Sequence, residues 1–365
     1  MDFFNTHISS KAIKLATQVL KSGWISEGKM VKEFEIQLNQ KLGLANPVAL
    51  NSGTSALHLA LVLAGVGPGD DVIIPAQTFV ATGLVVLMQR AKPVFADIDP
   101  TTGNILVASI KAKITDRTKA IIPVHWGGYP CDLDEINEFA AYHNITVIED
   151  AAHALGASYK GKSVGTISRF TTFSFQAIKH LTTGDGGALA CLDEDDYRKA
   201  VVKRWFGIDR GNSKPSALGE RIYDIAELGF KYHMNDLAAA IGIGNLADFP
   251  QRLARRQQIA ACYRKNLQGV SGIELLRNKD DRTHAYWVFT LLVERREDFI
   301  RKLSGQEIHA SVVHLRIDRN SLFGGLNYDL SGQDEFDRRQ VSLPVHEKLK
   351  DTDIEAIVTC IRDGW

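Results

Sequence analysis

The chain is expected to form an α/β fold: a mostly parallel, seven-stranded sheet flanked by helices, followed by a smaller α+β domain. Three observations predict this. From residue 48 to about 192, short β-rich runs alternate with helical patterns, the rhythm of a doubly wound sheet with ligands at its C-terminal strand ends. After about residue 245 that rhythm stops. The 365 residues also exceed what one average domain needs.

The predicted strands are 48–51, 71–75, 93–98, 120–125, 146–150, 170–175 and 187–192. Between them lie helical segments at 54–64, 79–89 and 132–143. Asp132 is placed to cap the last of these, with Glu135 in its first turn. The glycines at 65, 67 and 69 follow a helix and mark a turn. Tyr159–Gly165 is a turn that interrupts the alternation. Beyond residue 245 a long helix is expected to start after Pro250 and run over 251–267. Strands are expected at 286–293 and 310–315, and a closing amphipathic helix at 352–362. The division therefore falls into a large domain, 1–245, and a small one, 246–365, with the N-terminal segment packed on the small domain.

Composition excludes several classes. Lys plus Arg and Asp plus Glu both number 43, so the net charge is zero, which argues against nucleic acid or an anionic membrane as partner. Cys131, Cys191, Cys262 and Cys360 form no CxxC pair. That spacing speaks against a disulfide framework or a zinc site, and for a reducing cytosol. The first ten residues carry no apolar h-region, and the stretch 11–20 is too short and charged for a signal or anchor.

Chemistry concentrates in three places. In Phe173-Ser-Phe-Gln-Ala-Ile-Lys179-His-Leu-Thr-Thr-Gly-Asp-Gly-Gly187, a strand ends, a lysine sits in a short connection, and a glycine-rich turn leads to the next strand. A lysine that forms an imine needs a neutral amine, and hence an enclosed site. An unaided lysine is more often a solvated surface group. Its company changes the reading. Thr146-Val-Ile-Glu-Asp150-Ala-Ala-His153 delivers a carboxylate at the end of an apolar strand, as a pyridoxal ring requires to keep its nitrogen protonated. Glu149 should face the opposite way. Asp150 could instead cap a turn, and His153 could be a structural histidine. In Asn51-Ser-Gly-Thr-Ser-Ala-Leu-His58, a strand meets a helix N-terminus through hydroxyl residues and a glycine, a setting that suits a phosphate. It is neither a Walker loop nor a GxGxxG fingerprint, which disfavours a nicotinamide enzyme.

Together these segments resemble the fold-type-I pyridoxal-phosphate transferases, and more narrowly the DegT/DnrJ/EryC/StrS sugar-nucleotide aminotransferases. Pro75-Ala-Gln-Thr-Phe79, Met234-Asn-Asp-Leu-Ala-Ala-Ala-Ile-Gly242 and Ser342-Leu-Pro-Val-His346 extend the likeness over nearly the whole chain. The resemblance implies pyridoxal 5'-phosphate on Lys179 as a Schiff base, alternating with the pyridoxamine form, and Asp150 at the ring nitrogen. It implies Thr54, Ser55 and Ser174 at the cofactor phosphate, Phe79 on one ring face, and His153 where the family has Gln or His. Asn235 would reach the phosphate of the neighbouring subunit in a homodimer with shared sites. The implied partners are glutamate and a nucleotide-linked keto sugar, and the short Thr-Thr-Gly turn is more like members that aminate C4.

Departures from the family pattern bear on the substrate. His180 follows the lysine where asparagine is common, and Tyr232-His233-Met234 replaces Tyr-Arg-Met. No proline-rich loop precedes a late histidine; Val313-His314-Leu-Arg316-Ile-Asp318-Arg319 stands near its place. His180, Arg210, His314, Arg316 and Arg319 are candidates for the substrate and its diphosphate, although ion pairs or solvated surface would explain each arginine equally well. Two rivals share the fold. A sugar-nucleotide dehydratase would carry histidine in place of the lysine, and a non-catalytic regulator would have lost Lys179 or Asp150; both are present.

Overall fold

The computed structural model describes residues 1–211 and 213–365. Strands β1 (Pro47–Leu50), β2 (Asp71–Pro75), β3 (Lys92–Ala96), β4 (Thr118–Ile121), β5 (Thr146–Asp150), β6 (Phe170–Ser174) and β7 (Gly187–Cys191) form one sheet. Its order is β1-β7-β6-β5-β4-β2-β3. From β3 across to β6 all neighbours are parallel, whereas β7 runs antiparallel to both β1 and β6. Helices cover both faces, so strand side chains alternate between two cores rather than between core and water. Val72 and Ile74 enter one core with Ile148, while Ile73 and Val147 enter the other. This is why these strands are almost continuously apolar.

A second, antiparallel sheet joins Ile273–Leu275 (β8), Phe289–Val293 (β9) and Gln340–Leu343 (β10), in the order β8-β9-β10. The helices Phe249–Leu267 and Asp351–Arg362 close its core through Ile259, Tyr263, Leu267, Ile357 and Ile361. The N-terminal residues lie against this part of the chain: the His309 N–H donates to the Met1 carbonyl (3.2 Å), and His346 Nε2 pairs with the Asp2 carbonyl (3.0 Å). Among the described residues no helix is long and apolar enough to cross a membrane.

Several local expectations need correction. The stretch expected as a strand at 310–315 pairs only through a bridge between Ser311 and Ser342, because His314 takes a left-handed backbone (φ 54°) that an extended strand cannot hold. Tyr286 (φ 51°) likewise delays β9 to Phe289. Asp132 does not cap the helix Leu133–Tyr142; its carboxylate pairs with Lys279 and Arg282 instead. Phe79 lies before the helix Ala81–Met88 rather than within it. The long helix starts at Phe249 and takes Pro250 into its first turn, where a missing N–H breaks no helical bond. The turn at 159–165 contains a two-stranded hairpin, Ser158–Tyr159 against Lys162–Ser163.

Candidate active site

β5 ends on Asp150, and the strand's alternation sends its two carboxylates to opposite faces. Glu149 pairs with His125 Nε2 (2.8 Å) and accepts the Ser168 N–H (3.0 Å). Asp150 points the other way, accepting from the Thr82 hydroxyl (2.8 Å) and the Ala152 N–H (3.1 Å). Burial raises its pKa, against the opposing effect of these two donors and of the Lys179 charge. It stands in a cavity of about 350 Å³ that also takes in Thr54, Phe79, His153, Ser174, Lys179, Trp287 and His314.

Lys179 lies in the irregular connection after β6, its N–H bonded to the Gln176 carbonyl (2.9 Å). Its Nζ sits 3.7 Å from the centroid of the Trp287 ring. Burial pushes the amine down to about 7, with the Asp150 carboxylate pulling the other way. A lowered pKa means that the neutral, nucleophilic form appears at lower pH. Capture of an added aldehyde by the cofactor-free protein should therefore rise through a midpoint near 7, against about 10.4 for an ordinary lysine. Stopped-flow absorbance over a pH series checks this, and a midpoint in the ordinary lysine range would contradict it.

His153 is stacked on Trp287 (centroids 3.8 Å apart, planes 15° apart) and lies 5.7 Å from His314. Burial, then the charge of Lys179, keeps His153 far below the usual histidine range, so its ring is neutral. Burial likewise pushes His314 down to about 4. Among the described residues His153 Nδ1 and His314 Nε2 have no hydrogen-bond partner. Buried polar atoms of this kind are rarely left unpaired without a reason. The left-handed His314 backbone is fixed by Gln77 and Gln340, whose side-chain amides donate to its carbonyl (2.9 and 3.2 Å). Phe79 is half exposed at the mouth, tilted against His314 at 5.2 Å.

The other wall is the start of the helix Gly53–Leu63. Ser52 caps it, accepting the Ser55 N–H (3.0 Å), which leaves the first N–H groups, at Gly53 and Thr54, without intrahelical acceptors. A Cβ on Gly53 would come within 3.0 Å of the Ser174 Cβ, so glycine is what lets this turn lie against β6. The Ser55 hydroxyl is occupied: it donates to Asn51 Oδ1 (2.6 Å) and does not line the cavity.

Other candidates lie outside this cavity. Asn235 caps the helix Asp236–Leu246 through the Ala238 N–H (2.8 Å). His180 is buried away from the cavity, bonded to the Ala285 carbonyl (2.9 Å). Arg210 pairs with Glu27 (3.1 Å) beside a separate groove that includes Trp24 and Trp205. Arg316 is buried and doubly bonded to Asp318 (2.7 and 2.6 Å), which leaves its guanidinium little to offer a diphosphate. Arg319 is exposed and makes no side-chain bond among the described residues. Two further residues, Trp287 on the cavity wall and Thr82 against Asp150, are not marked out by the sequence. Trp287 was hidden in an apolar strand-like run, and Thr82 in a helical one; a tryptophan one residue from a strained backbone is the signal that structure adds.

The chain is similar to known proteins over nearly its whole length. The chain is 36% identical to the spore coat polysaccharide biosynthesis protein SpsC of Bacillus subtilis over 98% of this chain and 95% of that one. It is 35% identical to the GDP-perosamine synthase of Caulobacter vibrioides over 94% and 92%. The solved sugar aminotransferase CalS13 from Micromonospora echinospora superposes with a TM-score of 0.95 at 34% identity, over all of both chains. Spr1654 from Streptococcus pneumoniae, solved in PLP and PMP forms, superposes at 0.91 with 29% and 30% identity respectively, over 100% of this chain and 98% of that one. With the family model matched over residues 6–362, the chain belongs to the DegT/DnrJ/EryC1/StrS aminotransferase family and is a pyridoxal-phosphate-dependent sugar aminotransferase.

Proposed function

We propose that the protein moves an amino group from glutamate to the C4 keto group of a nucleotide-linked keto-deoxysugar, for a surface polysaccharide or a glycosylated metabolite. The observation that carries this reading is the meeting of Lys179, Asp150 and His153 in one cavity walled by a helix N-terminus. Those residues fit pyridoxal phosphate. The N–H groups at Gly53 and Thr54, which lack intrahelical acceptors, with the Thr54 and Ser174 hydroxyls, suit its phosphate. Ser55 acts by holding the turn. Asp150 suits the ring nitrogen, and His153 and Phe79 the ring. When bound, the cofactor supplies an electron sink for the carbon that loses or gains a proton.

In this reading the Lys179 amine anchors the cofactor, then takes the proton from Cα of glutamate and later returns one to the sugar carbon. Asp150 stays charged beside the ring nitrogen, and neutral His153 presses on the ring without competing for the proton. Residues 1–245 form the cofactor-binding unit and 246–365 the smaller one. The protein works in the cytoplasm as a homodimer in which Asn235 of each subunit reaches the other's site. His314 and Arg319 are the substrate candidates best placed to act, His314 inside the cavity and Arg319 near it in sequence and without a side-chain bond among the described residues; His180, Arg210 and Arg316 would act only through other groups or after giving up their present bonds.

The Thr54→Ala variant should bind the cofactor about 10- to 100-fold more weakly, the range set by one hydrogen bond to a charged group. Titration of the visible absorption band measures it. The reaction is tested by supplying glutamate and a panel of dTDP-, UDP- and GDP-linked keto sugars, and identifying the product by mass spectrometry and NMR. An amino group at C4 supports the reading; turnover with no nucleotide sugar, or a deoxygenated product without nitrogen, would overturn it.

A further inference from the structure

Lys179 presents an unusual balance of forces. Its Nζ makes no hydrogen bond or ion pair among the described residues, yet it is centred 3.7 Å from the Trp287 ring centroid. That indole is itself fixed. Its Nε1–H donates to the Ile178 carbonyl (3.0 Å), its backbone N–H donates to the Gly127 carbonyl (2.8 Å), and the residue is 1% exposed with His153 stacked on its ring. The carbonyl that holds the indole thus belongs to the residue just before the lysine, so ring and amine are registered to one another.

We propose that the face of Trp287 is the resting site of the Lys179 amine whenever it is not joined to the cofactor. The inference rests on Lys179 being the cofactor's lysine. Such a resting site solves a problem of the two-stage reaction, in which the freed amine must remain near the reacting carbon. A carboxylate in contact would hold the ammonium too firmly and keep its proton. An aromatic face attracts the charged form and accepts no proton. Once deprotonated, the amine loses that attraction and is free to swing to the substrate. Trp287 is therefore a positioning residue. It also backs His153, so one indole sets both the plane of that ring and the place of the amine.

The groups that face the amine limit the alternatives. Asp150 at the end of β5 supplies the negative charge that favours the ammonium. His153, His314 and His180 are held in their neutral forms by burial, and Asp185 lines the same cavity. None of them touches Nζ within hydrogen-bond distance, which leaves the indole as the contact to vary.

The test replaces Trp287 alone with a series of fluorotryptophans in the full chain. Fluorine drains the ring face of negative charge while nearly preserving shape, so a purely structural role would not respond. Lys179 is titrated in cofactor-free protein by the pH dependence of its reductive methylation, read on its peptide by mass spectrometry. The midpoint should fall stepwise with fluorine number, by about one pH unit across the series. A midpoint that stays constant would overturn the inference. Adding pyridoxal phosphate to the same proteins separates the two claims. A constant midpoint with a normal visible band defeats only the resting site, whereas the absence of cofactor on Lys179 defeats the assignment beneath it.

Discussion

The Lys179→Ala protein should lose sugar amination by about 10⁴-fold or more, since in the proposed function one side chain supplies both the covalent anchor and the proton shuttle. Its visible absorption band should vanish, while the pyridoxamine form still binds through the unaltered cradle at Gly53, Thr54 and Ser174. Because the amine makes no hydrogen bond or ion pair among the described residues, the variant should fold as before, which thermal melting checks. Residual activity within a hundredfold of the parent would mean that another group moves the proton.

Asp150→Asn should cut turnover by about 10²–10³-fold, the scale of losing one preorganised electrostatic partner in an active site. Asparagine keeps the shape; its Oδ1 accepts the Ala152 N–H and its amide N–H donates to the Thr82 hydroxyl, reversing that bond, so cofactor affinity should change much less than kcat. The charge has a second consequence. Asp150 raises the Lys179 pKa against burial, and its removal should move the midpoint of aldehyde capture below 7. A variant with normal kcat and an unmoved midpoint would place Asp150 outside the chemistry.

How much of this was legible in the sequence follows from where each constraint originates. The bounds of the strands Asp71–Pro75 and Thr146–Asp150 are the ones the sequence predicts, because a parallel strand buried on both faces announces itself by unbroken apolar residues. The gathering of Lys179, Asp150 and His153 in one cavity was legible too, since a doubly wound sheet brings its strand ends together. Long-range bonds were not legible. The left-handed turn at His314 depends on Gln77 and Gln340, and without it 310–315 reads as a strand. For Arg316 the sequence leaves a diphosphate contact and an ion pair equally open, and only the fold, which sets Asp318 and Asp334 against it, selects the ion pair. Asp132 resembled a helix cap until Lys279 and Arg282 arrived from the other end of the chain.

The most direct measurement is borohydride reduction of the purified, cofactor-loaded protein, followed by peptide mass spectrometry. Reduction fixes an imine as a stable amine and reports which lysine carried it. A phosphopyridoxyl group on the peptide containing Lys179, lost when glutamate is added before the reductant, is the predicted result. A label on a different lysine, or none on a protein that still aminates sugars, would contradict the account.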